Sequence, residues 1–335
     1  MNSMSTSGAP ASCMADFIAD FLKYHRALGK SFANEENALR LFDRYLLNEK
    51  IGSIDQVNST LLSAFLLSRP RTTARSYIHL HNVVERFFHW LVRQQLLLHS
   101  PMETCPRRRQ HQHLKAPFLF EPSQVERLLV LAAQLPDEPH SHQRGSTYRM
   151  IFGLMYALGL RVGEAERLCL RDVDLNRQTL LIRETKFLKT RIVPFGPNVA
   201  AALERYIDER QQRHGRLEPE APLFSVHRNG RQALASKSMS RTFHHLVPHL
   251  NLVVAAGVSP PRLHCLRHSF AVSTLLRWYR SGSDPGARLL YLSTFLGHVN
   301  PASTSVYLTI TADLYEQANE RFHQFSAPIL KKVLP

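Results

Sequence analysis

Six residues between Gly159 and the end of the third motif carry chemistry that works as a set: Arg161, Lys186, His264, Arg267, His298 and Tyr307. They are cations and hydrogen-bond donors followed by one phenol. Two guanidiniums can hold the non-bridging oxygens of a phosphate through paired N–H bonds, a lysine can protonate a departing alkoxide, and a tyrosine oxygen can attack phosphorus to form a covalent ester. Such a set can cut a phosphodiester without a metal ion. A phenol of ordinary pKa, about 10, must lose its proton during attack or sit among positive charges, and clustered cations supply the second condition.

The local strings around these residues favour their roles. Arg161 follows A-L-G-L, where a glycine permits a close turn into a helix whose first N–H groups favour an anion. His264 and Arg267 form H-x-x-R, which sets both side chains on one helical face and within reach of one phosphate. Gly297 lets the backbone turn just before His298, and Pro301 suits the start of a short helix presenting Tyr307. Taken singly these residues are ordinary: an arginine is usually solvated, a tyrosine is usually a half-buried anchor, and H-x-x-R is a weak pattern in a chain with 18 histidines. Tyr315 is a rival phenol.

Read at full length, the strings A-L-G-L-R-V-G-E (157–164), H-C-L-R-H-S-F-A (264–271) and L-G-H-V-N-P-A-S-T-S-V-Y (296–307) resemble the tyrosine recombinases of the phage-integrase family. The resemblance runs from about residue 15 to about residue 325, and the spacing of His298 and Tyr307 is one the family shares. It implies a site-specific DNA recombinase in which Tyr307 attacks the scissile phosphate to form a 3′-phosphotyrosyl link. Arg161, Arg267 and His298 would neutralise the phosphate oxygens, Lys186 would protonate the 5′ oxygen, and His264 would assist proton transfer or orient the phosphate. Glu164 and Asp172 match acidic positions of the family's R-x-x-E and L-x-x-x-D pattern and would orient the arginine. Lys186 aligns with the family's hairpin lysine, with Lys189 as the alternative. Cys265 departs from the family, which often has Asp or another polar residue there. The stretch between Arg267 and His298 is longer than usual, and Ser281 to Gly286 reads as an inserted loop like those of recombinases carried by transposable elements. The resemblance further implies no cofactor and no metal, double-stranded DNA as partner, and a homo-oligomer on DNA in a tetrameric synapse. Two other readings share parts of this pattern: a type IB topoisomerase-like nicking and resealing enzyme, and a non-catalytic DNA-binding protein on the same fold. The N-terminal helices and the L-G-H string favour the recombinase.

The elements that must position these residues follow from composition and periodicity. A chain of 335 residues suggests two domains, and a net charge of +15 points to a polyanionic partner. No window reaches the roughly 18 to 20 apolar residues of a membrane span, and the first residues lack a secretory apolar segment, so a cytoplasmic protein with no membrane partner is expected. The four cysteines stand singly, which indicates neither a zinc site nor a disulfide framework.

Residues 1–14 read as a disordered start. Four amphipathic stretches in 15–105 predict a helical bundle, the core-binding domain by resemblance; they are marked by Phe17 to Leu28, Leu39 to Leu46, Leu61 to Leu66 and Tyr77 to Leu91. Residues 106–117, with Arg107, Arg108, Arg109 and Lys115 and no acid, read as a basic linker that contacts the DNA backbone. Residues 118–327 form the expected catalytic domain, and 328–335 a tail. In that domain Ser123 and Glu126 fit a capping box opening a helix to about Leu135, and helices are expected at 143–158, 161–169, 197–213, 238–247, 264–278 and 311–325. The β-rich runs within Thr179–Phe195 read as a hairpin with Lys186 near its tip. The fold class is therefore mainly α, a helical bundle followed by a mostly helical domain with one small antiparallel sheet.

Because phosphate contacts release counterions, log affinity for DNA should fall by about 0.9 per contact with log salt. Changing Arg107, Arg108 and Arg109 together to Ala should weaken binding to all sequences alike and flatten that slope in a salt titration. An unchanged slope would make the segment a plain tether.

Overall fold

The computed structural model describes residues 10–29, 32–68, 74–105, 115–183, 190–298, 300, 302–305 and 307. Arg107, Arg108, Arg109, Lys186, Lys189, Tyr315 and the expected helix 311–325 lie outside them. The chain divides into two compact units, Met1–His113 and Leu114–Pro335.

The first unit is built from α1 (Ala15–Ala27), α2 (Ala33–Asn48), α3 (Ser59–Leu67) and α4 (Ala74–Arg93). Each buries the apolar stripe that its spacing requires: Ile18, Phe21 and Leu22; Leu39, Phe42 and Leu46; Leu62, Phe65 and Leu66; Val83, Val84, Phe87, Phe88 and Leu91. The rings interlock edge to face, as with Phe21 and Phe87 at 5.4 Å and 76°. Asn58 caps α3 by accepting from the Leu61 N–H at 2.9 Å. Order begins before Ala15, where the sequence suggested it: Met14 is fully buried, and the Ser12 N–H donates to Asp43 at 2.9 Å. Leu28 lies just past α1 and is exposed, outside the apolar stripe assigned to it.

The second unit is mainly helical with one small antiparallel sheet. It begins ahead of the expected boundary, since Ala116 exchanges backbone bonds with Gly257 (2.9 Å) and Ser259 (2.7 Å), while Lys115 beside it is exposed. Its first helix, α5 (Pro122–Ala133), does not use the Ser123 and Glu126 box. The box is formed by Glu121 and Gln124, because Pro122 can occupy the first helical position without losing a needed N–H. Then come α6 (Arg144–Ala157), α7 (Val162–Arg167), the sheet β1 (Val173–Asp174), β2 (Thr179–Ile182) and β3 (Arg191–Pro194), and the helices α8 (Pro197–His214), α9 (Ser236–Leu246), α10 (Cys265–Arg280), α11 (Pro285–Leu296) and α12 (Ala302–Ser305). The sheet order is β1-β2-β3, with Leu180 opposite Val193 and Ile182 opposite Arg191. Leu180, Ile182 and Val193 face the core and Ile192 faces solvent, as the two-residue period of a strand demands. Around the sheet, Leu128, Ile151, Phe152, Met155, Leu203, Phe243 and Leu266 form one continuous core.

The stretch read as an inserted loop resolves differently. Only Ser281 to Asp284 connects two helices; Pro285 and Gly286 are already the first turn of α11, which Asp284 caps by accepting from the Gly286 N–H at 2.8 Å. A second apolar cluster joins Ala271, Val272 and Leu275 of α10 to Leu292 and Leu296 of α11 and to Tyr307.

Gly145 lets α6 start against the end of α5: a Cβ there would stand 2.4 Å from the Ala133 carbonyl oxygen. Gly145→Ala should therefore destabilise the protein by about 1–3 kcal/mol through overpacking. Gly153→Ala in the same helix, whose Cβ would have its nearest contact at 4.0 Å, should be neutral or stabilising. Thermal melts of the two variants check the contrast, and equal midpoints would contradict it.

Candidate active site

The site is assembled on the C-terminal end of α11. A helix end leaves carbonyls without helical partners, and here two sets of donors take them. Gly297, in the left-handed conformation at φ +67°, turns the chain so that its N–H reaches the Thr294 carbonyl and the His298 N–H reaches the Ser293 carbonyl, both at 2.9 Å. The next three carbonyls accept from three different arginines. Arg191 Nε donates to Phe295 at 2.9 Å, Arg267 Nη2 to Leu296 at 2.7 Å, and Arg161 Nη2 to Gly297 at 2.9 Å. The negative end of the helix dipole thus meets three guanidiniums. A side chain at Gly297 would meet Arg191 Nη1 at 2.8 Å, so glycine is required there for space as well as for its φ.

Glu164 ties two of these arginines together. Its carboxylate, 2 % exposed, accepts from both Nη1 and Nη2 of Arg191 at 2.9 Å, from Arg161 Nη1 at 2.7 Å and from the Arg161 backbone N–H at 2.9 Å. Burial alone would raise its pKa, but these bonds and the charges of Arg191 and Arg161 outweigh that and lower it to about 2. Arg191, the first residue of β3, was not singled out by sequence; its strand register toward the end of α11 is visible only in the fold. Asp172, grouped with Glu164 by its place in the motif, does something else: it accepts from Arg183 Nε at 2.5 Å and from the Cys169 N–H at 3.0 Å. Its described contacts shape the turn before β1, and none of them is to Arg161.

Arg267 has no exposed surface. Its Nη1 donates to the Gly159 carbonyl at 2.5 Å, and its Nη2 to Leu296 and to His298 Nε2 at 3.0 Å, while Nε is buried without a partner among the described residues. Burial, then the charge of Arg161, lowers its pKa to about 9, so it stays cationic at neutral pH. The close packing is possible because Gly159, at φ +61°, carries no Cβ; one would lie 2.6 Å from the Phe270 ring.

His298 accepts from Arg267 at Nε2, which leaves Nδ1 to donate to Thr304 Oγ1 at 2.6 Å. Burial, then Arg267 and Arg161, lowers its pKa to about 4, so it is neutral. Tyr307 is buried, its ring stacked with that of His298 at a centroid distance of 6.3 Å. Its hydroxyl lies 3.0 Å from Nδ1 of His268. Burial raises the phenol pKa, and the charges of Arg267 and Arg161 oppose the rise. His264 is the exposed residue just before α10 and lies edge to face with His268 at 4.6 Å. Desolvation, then His268 and the arginines, lowers its pKa. Cys265 is buried, and its sulfur accepts from the Arg262 N–H at 3.3 Å, a bond inside its own turn.

Arg161, Glu164, His264, Arg267, His298 and Tyr307 therefore come together from three segments far apart in the chain, and Lys186 lies outside the described residues. Arg191, His268 and Thr304 join the cluster without having been assigned. His268 stood in the H-C-L-R-H-S-F-A string, where its place one residue after Arg267 was the available signal. No group of three or more His, Cys, Asp or Glu side chains among the described residues could hold a metal ion. No described helix is long and apolar enough to cross a membrane. The arrangement presents guanidiniums and a phenol to an anion.

Comparison with known proteins agrees. The profile of the phage integrase family matches residues 119–313. A putative integrase/recombinase, y4rB of Sinorhizobium fredii, is 38% identical over 209 residues, which are 62% of this chain and 66% of that protein. The tyrosine recombinase XerC of Anoxybacillus flavithermus is 30% identical over 278 residues, 81% of this chain and 84% of that one. Among solved structures, the Tn1549 transposon integrase in complex with a circular intermediate DNA superposes with a TM-score of 0.65 at 18% identity, covering 93% of this chain and 100% of that one.

The Glu164 carboxylate, with a folded pKa of about 2 against an ordinary 4.5, contributes stability that is full above pH 4.5 and lost as pH falls through 2. Glu164→Gln should unfold more easily at pH 7, by about 3 kcal/mol, because two partly buried guanidiniums lose their shared counterion. It should also show a shallower loss of stability than wild type between pH 4.5 and 2. Parallel urea titrations across that range would refute the pairing if the two proteins ran with the same slope.

Proposed function

The chain belongs to the phage integrase family of tyrosine recombinases, and from that membership we propose how its own residues break and rejoin DNA. The enzyme is a site-specific recombinase. In our reading Tyr307 is the nucleophile: Oη bonds to the scissile phosphorus, the bond to the 5′ oxygen breaks, and the 3′ end stays on the protein as a phosphotyrosyl ester. The energy of the broken bond is retained in that ester, so rejoining to a second strand needs no ATP.

Arg161 and Arg267 take the non-bridging oxygens. The observation that carries this reading is that each donates to a carbonyl at the end of α11 close to the phenol, the half-buried Arg161 sharing Glu164 with Arg191 and the buried Arg267 having only carbonyl and imidazole partners among the described residues. A carbonyl holds a guanidinium in place without cancelling its charge, so the field remains available to the phosphorane, the stabilisation that usually dominates such reactions. Glu164 orients Arg161 and saturates Arg191. His298 is neutral while the site is empty; an arriving phosphate offsets the arginines' charge, favours protonation at Nε2, and lets that N–H donate to a phosphate oxygen. His264 lies at the rim, where it can orient the phosphate. Lys186 supplies the proton for the 5′ oxygen, a role resting on its motif position alone. Charge neutralisation and proton delivery are thus both supplied by side chains, which supports a reaction independent of metal.

The enzyme binds DNA. We assign the helical unit of residues 15–105 to grip the duplex beside the cleavage site. A homo-oligomer is part of the proposal for a stoichiometric reason: each Tyr307 can hold one strand, and exchange between two duplexes breaks four.

With a nicked duplex that loses its 5′ fragment after cleavage, wild type should accumulate a covalent protein–DNA adduct in excess EDTA. Tyr307→Phe should bind the DNA and form no adduct, whereas Tyr315→Phe should form it normally; gel electrophoresis under denaturing conditions reads both. The reverse pattern would move the nucleophile to Tyr315.

A further inference from the structure

We propose that His268 is the general base of the reaction, taking the proton of the Tyr307 hydroxyl as its oxygen attacks phosphorus. The inference rests on Tyr307 as nucleophile and assigns a role to a residue outside the six of the motif set.

Position is the first argument. His268 Nδ1 stands 3.0 Å from the phenol oxygen, inside the reach that direct proton transfer requires. The ring is held there by a well-anchored stretch of α10. Arg267 on one side is fully buried, and Ser269 on the other accepts from the Phe120 N–H at 2.7 Å and donates to the Cys265 carbonyl at 2.9 Å. The imidazole is flanked edge-on by His264 at 4.6 Å and by the Tyr307 ring at 5.5 Å.

Elimination is the second. His298 has Nε2 facing Arg267 and Nδ1 on Thr304, so neither nitrogen is turned to the phenol. Glu164, the carboxylate in the cluster, is saturated by two arginines. Tyr307 is 4 % exposed, so little solvent reaches the phenol.

Charge supplies the timing. The groups around His268 are His264 just before its helix, Arg267 on the helix, His298 after α11, and Tyr307. Burial, then Arg267, lowers the His268 pKa to about 4 in the empty site, so it is a neutral acceptor and the phenol keeps its proton. A bound phosphodiester places a negative charge beside Arg267, offsets its field at His268 and strengthens the imidazole as a base. Proton removal is thereby tied to the presence of the scissile phosphate. In the step itself the Oη–P bond forms, the phenol proton moves to Nδ1, and the P–O5′ bond breaks with its electron pair on the 5′ oxygen, which takes a proton from Lys186. The imidazolium returns its proton to the phenol oxygen when a 5′ hydroxyl reverses the reaction.

Single-turnover adduct formation on a nicked duplex decides the matter, comparing wild type, His268→Asn, His268→Phe and Tyr307→Phe on a normal phosphate and on a 5′-bridging phosphorothiolate, whose sulfur leaves without a proton. Asparagine keeps a hydrogen-bond acceptor near the Nδ1 position but takes no proton, so it separates chemistry from positioning, and it decides alone if the Phe variant fails to fold. The expected result is unchanged DNA affinity, a rate lowered about a hundredfold or more in His268→Asn, and the same defect on the phosphorothiolate. The variant's rate should climb about tenfold per pH unit through neutral and alkaline pH, because its phenol, whose pKa burial raises, must lose the proton without a neighbouring base, whereas the wild-type rate levels off. A wild-type rate in His268→Asn would reduce the contact to positioning and overturn the proposal. Restoration of its rate by the phosphorothiolate would do the same, by placing the histidine at the leaving group. An adduct formed by Tyr307→Phe would instead overturn the nucleophile assignment on which this inference rests.

Discussion

Three successive carbonyls at the end of one helix, those of Phe295, Leu296 and Gly297, each hold a different arginine, and the rest of the second unit is arranged to make that possible. Desolvating guanidiniums is expensive, and pairing each with a carboxylate would leave little charge for a substrate. Helix-end carbonyls solve both problems. They carry a partial negative charge and point along the helix axis, so they satisfy N–H donors while leaving most of the formal charge unneutralised. The two left-handed glycines follow from the same requirement: Gly297 turns the chain off the helix without striking Arg191, and Gly159 brings its own carbonyl onto Arg267 where any side chain would strike Phe270.

The electrostatics of the pocket follow from that scaffold. Glu164 is consumed by Arg161 and Arg191, so Arg267 is left with carbonyl and imidazole partners. Its field and that of Arg161 reach His298, while Arg267 alone is the charge that bears on His268; in each, burial is the larger cause of a lowered pKa. The empty site is therefore cationic at its arginines and neutral at its imidazoles. An anion entering it changes the proton affinity of every histidine in contact. Substrate binding and proton chemistry are coupled by this arrangement through charge.

Much of this was legible in the chain. The strings around Arg161, Arg267, His298 and Tyr307 named side chains that do meet in space, and the helices whose apolar faces repeat at helical spacing formed close to where periodicity placed them. What was not legible has particular causes. The helix α11 exposes Leu290 and Tyr291 on one side and buries Leu292 and Leu296 on the other, so no apolar stripe marks it, and its opening Pro285 and Gly286 read as loop. Arg191 was hidden because its importance comes from strand register, and His268 because a histidine next to a motif arginine has no distinguishing spacing. Asp172 shows the opposite failure: its place in a pattern suggested a contact with Arg161, and the fold gives it Arg183 instead.

The central claim is that the arginines are positioned before the phosphate arrives and remain on the helix end while they bind it. A crystal structure of the protein with a half-site duplex and orthovanadate, which mimics the five-coordinate phosphorus, tests it most directly. Vanadium should be bonded to Tyr307 Oη, with Arg161 and Arg267 donating to its equatorial oxygens and still bonded to the carbonyls of Gly297 and Leu296. Vanadium on another residue, or arginines that have left those carbonyls to reach it, would contradict the account.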